Sequence, residues 1–404
     1  MPSTIAWLDT SSEEQLRTRE LIALFTEKDT LDELGIGQIR DVFSNVLFPG
    51  TSVIQTRARY LLLVPWAYLD AAQKRSNGTV REKAQANQRQ TIEALLQLGR
   101  EGHPQEGIVG ARAGAGVKTL PSDIYWNALR TYGILQRELS ADDLGRRPSA
   151  DTESDELAGR PVTEWHPAIR VPKGFPALIP GGLELTYEEA AFLRERILQG
   201  VPGSLLAHLI GSDEPPDPDS RQPWDDSVAA RVDGALAEAM THARLFSHSI
   251  HGASLLYAVL VAEAYRDAGY NAVGDQREMT RDALRQWWEA TEPLTGRLSA
   301  WDLDEFWAFV IERNPRISIL TRRFVTEWLA AVKDGTAQFA ADDDRLRRLI
   351  RDREREMKRS QARLSNRKLL GLWGGFTGGS GLSYRWSTVK TIVSDIHRGL
   401  ERKG

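Results

Sequence analysis

The sequence predicts a mainly α, multi-helical protein of two or three domains with a short N-terminal extended arm. Three observations lead there. Apolar residues recur at helical spacing along most of the 404 residues, clear period-2 strands are scarce, and helix-capping patterns precede several apolar runs. A chain of this length also exceeds what one compact core normally serves.

Thr4 to Leu8 form the expected arm, a short strand or an ordered extended segment. Ser11 with Glu14 makes a capping box for a helix carrying Leu16, Leu21, Leu24 and Phe25. Gly35 and Gly37 interrupt the chain, and Ile36, Ile39, Val42, Phe43, Val46 and Leu47 resume helical spacing up to Pro49-Gly50. Thr51 or Ser52 then caps a helix with Ile54, Ala58, Leu61 and Leu62. Pro65 kinks that helix or starts a successor ending near Asp70. Arg81 to Arg100 read as a mostly polar helix, residues 102–120 as a glycine-rich loop, and Pro121-Ser122 as the start of an aromatic-rich helix. Thr186 and Glu189 form a second capping box. Further helices are expected at about 203–210, 228–247, 252–268, 277–291, 301–312 and 317–333, with Gly252 marking a boundary. One long charged helix runs from Asp342 to about Leu370, followed by a glycine-rich segment and a last helix, Thr388 to Lys403. The expected division is an N-terminal helical domain (1–138), a linker rich in Pro, Gly, Ser and acidic residues (139–183), a central helical domain (184–340) and a basic C-terminal helix with its glycine-rich segment (341–404).

Hydrophobic and charged contents of 41% and 27% are those of a soluble globular protein. No apolar run approaches the roughly 18 residues of a membrane helix, and the N-terminus lacks a basic region followed by an apolar one. With no cysteine, disulfides and thiolate metal sites are excluded, and the expectation is a cytoplasmic protein without a membrane partner. The net charge of −4 conceals an asymmetry: residues 345–403 hold 16 Lys/Arg and 5 Asp/Glu, a net of +11, leaving −15 for the rest. Such an end suits nucleic acid or an acidic partner.

Catalytic signatures do not survive scrutiny. The run Gly110 to Thr119 resembles a phosphate loop only superficially, because Val117 separates Gly116 from Lys118 and no strand precedes it. Arg112 and Lys118 remain candidate anion contacts there. His242, His248 and His251 crowd one region without a carboxylate at supporting spacing, so a structural role is favoured over a metal. Asp302, Asp304 and Glu305, like Asp225, Asp226 and Asp342 to Asp344, suit first helical turns by the helix dipole. No Ser-His-Asp order stands out. No catalytic residue, cofactor or metal is assigned.

The strongest physical signal is Arg345 to Lys368, with 11 basic and 3 acidic residues. Three acids cannot neutralise eleven bases, and the excess favours a polyanion. The candidate nucleic-acid contacts are Arg345, Arg347, Arg348, Arg351, Arg355, Lys358, Arg359, Arg363, Arg367, Lys368 and Arg385. Tyr384 and Trp386 beside Arg385 suit either base stacking or burial, with burial of Trp373 and Trp386 slightly favoured. Arg57 and Arg59, two residues apart, point to different helix faces. One of them is expected inside, where a buried arginine needs an anion, either a carboxylate such as Asp32, Glu33 or Asp41, or a phosphate.

Several stretches resemble an uncharacterised bacterial protein family, a domain of unknown function. They are STIAWLD at 3–9, DELGIGQIRDVFSNVLFPGTSVIQTRARYLLLVPW at 32–66, VKTLPSDIYWNALRTYGI at 117–134, WHP at 165–167, LTYEEAAFLRERI at 185–197 and HGASLLYAVLVAEAY at 251–265. The resemblance covers most of the first 270 residues. It carries no catalytic residues, and it implies a neighbourhood of phage-defence genes such as helicases and phospholipase-D-like nucleases. The resulting expectation is a non-enzymatic subunit of an anti-phage defence system that scaffolds a helicase or nuclease and contacts DNA through residues 345–403. The alternatives are a metal-dependent nuclease or nucleotide-processing enzyme with an unrecognised site, and a pure protein–protein interaction subunit.

Overall fold

In a computed structural model, the structure describes residues 32–74, 78–103, 105–137, 139–140, 164–376 and 378–402. The expected N-terminal arm and the Ser11–Glu14 capping box lie outside the described residues. The protein is mainly α. In chain order the helices are α1 (Gly37–Leu47), α2 (Tyr60–Gln73), α3 (Val80–Arg100), α4 (Pro121–Thr131), α5 (Tyr187–Gly200), α6 (Leu205–Gly211), α7 (Gly234–Asp267), α8 (Arg277–Glu289), α9 (Thr295–Ala300), α10 (Leu303–Arg313), α11 (Ile319–Lys333), α12 (Asp344–Lys358), α13 (Arg367–Gly371) and α14 (Trp386–Glu401). Among the described residues there is no strand, and the β-structure is an isolated antiparallel bridge between Leu135 and Trp165.

Two compact units emerge, each assembled from separated stretches: residues 1–42 with 241–382, and residues 43–240 with 383–404. The boundaries fall inside α1 and α7. By compactness, residues 184–240 group with 43–183 and with the C-terminal helix.

In the first unit, α7 from Thr241 onward is the central helix. Trp287 on α8 and Trp328 on α11 donate their indole N–H groups to the α7 carbonyls of His248 and Ser249, at 2.8 and 2.7 Å. Gly252, expected as a helix boundary, instead sits within an uninterrupted 34-residue helix. Its function there is clearance: a Cβ at this position would lie 2.3 Å from the Trp287 ring. α7 is also long and apolar enough to cross a membrane by length and composition, against the reading that no run approaches that length. In the structure 83% of that window is buried, as in the core helix of a globular protein.

The basic helix is also shorter than expected. α12 starts at the N-cap Asp343, whose carboxylate accepts from the Leu346 N–H at 2.8 Å, and it ends at Lys358. Arg359 takes a left-handed backbone (φ 49°) and the chain reverses. Glu354 on α12, buried, accepts the N–H groups of Arg363 and Leu364 at 2.7 and 3.1 Å and the Tyr257 hydroxyl at 2.7 Å. Those bonds satisfy a buried carboxylate and hold the reversal closed.

In the second unit, α2 lies against α3 and α4, and α14 lies against α5. Gly399 permits the last approach, since a Cβ there would come within 2.6 Å of the Ala190 Cβ. α2 starts at Tyr60, not in the low fifties. Residues 51–59 form a loop, which leaves Ile54 exposed, and α2 runs through Pro65 to Gln73. The Thr186–Glu189 capping box forms as expected, with both reciprocal bonds present. Trp165, within the expected linker, is buried against Tyr68 and Trp126. The glycine-rich loop is folded back on α3 through Val117 and Leu120, which join Ile92 in a small apolar cluster.

Candidate nucleic-acid interface

α12 places its residues by a simple helical rule. At about 100° per residue, Arg345, Arg348, Arg351 and Arg355 fall within roughly a third of the circumference, over about 15 Å of helix. Leu346, Ile350, Arg353 and Glu354 occupy the opposite, buried side. The eleven bases of residues 345–368 then separate into two groups by what they touch.

Six are engaged within their unit. Arg347 pairs with Glu263 of α7 and donates to the Ala341 carbonyl. Arg353, essentially buried, donates to the carbonyls of Leu34 and Gly35 at 2.7 and 3.0 Å and to the Thr321 hydroxyl at 2.9 Å. Lys358 and Arg363 both face Glu33, at 3.4 and 3.7 Å. Arg367 donates to the Ala268 carbonyl at 3.1 Å, and Arg355 pairs with Asp352 at 3.0 Å on the surface. Arg347, Arg353, Lys358 and Arg363 thus fasten α12 and its reversal to α7 and to the turn at residues 32–35.

The other five, Arg345, Arg348, Arg351, Arg359 and Lys368, are exposed and make no side-chain hydrogen bond or ion pair among the described residues. An unpaired guanidinium keeps all five donors for an incoming anion. Sequence reasoning missed Arg323 on α11. It is exposed, bonds Glu356 at 3.2 Å and lines a groove with Arg345 and Arg348. Its signal was the dense cationic run Arg322-Arg323 close to the start of an amphipathic helix.

The remaining candidates lie in the second unit. Arg57 pairs with Asp395 at 2.8 Å and donates to the Glu106 carbonyl at 3.0 Å. Arg59 pairs with Glu189 at 2.8 Å, donates to the carbonyls of Pro180 and Gly182 and lies over the Trp66 ring. Both arginines have carboxylate partners, but from helices far along the chain, not Asp32, Glu33 or Asp41. Arg112 and Lys118 are exposed on the glycine-rich loop. Arg385 donates to Asn45 Oδ1 and the Thr51 carbonyl at 3.0 and 2.8 Å. Its neighbours Tyr384 and Trp386 are buried, 2% and 1% exposed, so they offer no stacking platform. Trp386 instead donates to the Ser220 hydroxyl at 3.1 Å.

His242 and His248 are hydrogen-bonded within the first unit. His242 Nδ1 accepts from the Trp301 indole at 2.8 Å, and His248 bonds the Thr291 hydroxyl at 2.8 Å while stacking on Trp287. Burial lowers His248 and His251 to about 4, and for His248 the charges of His251 and Arg244 add to the effect. Asp302 caps α10, accepting from the Asp304 and Glu305 N–H groups at 2.7 and 3.1 Å. Among the described residues, no group of three or more His, Asp or Glu is placed to hold a metal.

No curated protein and no solved structure matches the chain. The model of a family of unknown function, DUF6361, matches residues 2–398, and the chain belongs to that family.

Proposed function

We propose that this chain is a non-enzymatic subunit of a bacterial anti-phage defence assembly, scaffolding a helicase or nuclease partner and holding DNA against the exposed arginine face of α12. One observation supports the DNA contact: Arg345, Arg348, Arg351 and Arg359 are exposed and unpaired next to bases that are engaged within their unit. A surface of arginines without carboxylates attracts phosphates and gains affinity as it releases their counterions. The defence assembly and its partner rest on the family resemblance alone.

The test is fluorescence anisotropy of a labelled DNA duplex against salt. Changing Arg345, Arg348, Arg351 and Arg359 together to Glu should abolish retention. Single changes should flatten the logarithmic salt slope by about 0.9 for each phosphate no longer neutralised. Unchanged affinity and slope would refute the DNA contact. A partner pull-down that survives nuclease treatment and depends on the same arginines would assign the face to an acidic protein surface instead.

A further inference from the structure

A groove of about 260 Å³ opens between α11 and α12 in the first unit. It is lined by four arginines, Arg323, Arg345, Arg348 and Arg353, and by Glu327, Asp352 and Glu356. The charges do not cancel locally. Asp352 is held by Arg355, which is not part of the lining, at 3.0 Å. Glu356 is held by Arg323 at 3.2 Å, and Glu327 stands 3.9 Å from the same guanidinium. Arg345 and Arg348 pair with no carboxylate among the described residues.

Arg353 is the unusual member. Its side chain is 1% exposed, and a buried arginine normally has a hydrogen-bonded carboxylate. Here its donors reach only neutral oxygens, those of Leu34, Gly35 and Thr321. Nη1 is buried without a hydrogen-bond partner, and the nearest carboxylate, Glu356, stands 3.8 Å away. A full positive charge in low dielectric, without a hydrogen-bonded counter-charge, projects its field into the adjoining groove. Three further arginines, from α11 and α12, line the same groove, and guanidinium groups suit an anion with several oxygens.

We infer that this groove is a phosphate subsite, seated by Arg323, Arg345 and Arg348 over the buried charge of Arg353, with Glu356 as an internal competitor for those guanidinium groups. The inference rests on the polyanion reading of α12 and specifies where a phosphate sits. The phosphate is either a diester of a bound strand or a free phosphate ligand. Glu356 must yield Arg323 when the anion enters, so removing its charge favours binding.

The experiment titrates the full chain with pyrophosphate by calorimetry and, separately, with a fluorescein-labelled 20-nucleotide DNA by anisotropy, each variant first checked for an unchanged circular dichroism melt. Arg353 is left intact, because its loss would endanger the fold. R323A and R348A are each expected to weaken pyrophosphate at least fivefold. E356Q is expected to tighten it two- to fivefold, and R351A, outside the groove lining, to leave pyrophosphate unchanged while weakening DNA. Pyrophosphate affinity insensitive to R323A and R348A, or not raised by E356Q, overturns the subsite even if DNA binding stands. Pyrophosphate binding that is lost in R348A, while neither the wild type nor any variant binds DNA, supports the subsite for a free phosphate ligand and refutes the DNA reading alone.

Discussion

Arg57 and Asp395, 338 residues apart in the chain, meet at 2.8 Å. The carboxylate is 2% exposed and also accepts from the Ala58 N–H at 3.0 Å and from Arg398 at 2.8 Å. α14 is thereby tied to the loop that leads into α2. Removing one partner of a buried pair leaves the other charged and undersolvated, a cost of about 3–5 kcal/mol. Asp395→Ala should therefore lower unfolding stability by that amount in a urea titration. A loss of no more than about 1 kcal/mol, the value of an exposed pair, would show that the pair is not a structural anchor.

Gly252 offers a sharper packing test. Gly252→Ala puts a methyl group into the Trp287 ring, and overpacking of this kind costs about 1–3 kcal/mol. Ala is otherwise the better helix former by about 1 kcal/mol, so a stabilised variant would mean that the two helices separate freely. Tryptophan emission reports the ring displacement directly.

The buried histidines set an acid limit. Their pKa values in the fold, about 4, lie below the unfolded value of about 6.5. The unfolded chain therefore binds more protons over that interval. Stability is fully present above pH 6.5 and is lost progressively as the pH falls toward 4. Urea midpoints at pH 7.5, 6 and 5 should decline in that order, and the decline should shrink in His248→Gln. Equal midpoints at pH 7.5 and 5 would contradict the buried, neutral assignment.

Glu354 is predicted to control the end of α12. Glu354→Gln keeps the shape but turns one acceptor into a donor facing the Arg363 and Leu364 N–H groups. The cost expected of such an unsatisfied buried group is about 1–3 kcal/mol. Faster amide hydrogen exchange should be confined at first to residues 359–364, and unchanged exchange there would remove Glu354 from this role.

Helix identity was legible because apolar spacing and capping chemistry are local. Thr186 with Glu189, Asp302 and Asp343 all cap as their sequence context implies. What required tertiary structure was hidden. The charge pattern of residues 342–370 continues across Arg359 without a break, so periodicity could not reveal a reversal held by a carboxylate five residues earlier. Gly252 carries the ordinary mark of a helix end, and only the Trp287 ring explains its presence mid-helix. The candidate site was half legible. Counting bases pointed to α12, but Arg347 and Arg363 are chemically identical to Arg348 and Arg351. Only their neighbours, Glu263 and Glu33, distinguish a fastening from a free cation.

The interleaving of the two units has a consequence for how the protein is made. Residues 43–240 leave the ribosome well before α14, whose Asp395, Trp386 and Gly399 complete their unit. At translation rates of about 5–20 residues per second, that wait is on the order of 10–30 s. Throughout it, the surfaces of α5 and α6 that will receive α14 stand open in the nascent chain. The turn at residues 32–35 likewise waits for Arg353 of α12. This unit therefore depends on a helix made long after its other parts, and holding factors that bind exposed apolar surface during synthesis should raise the yield.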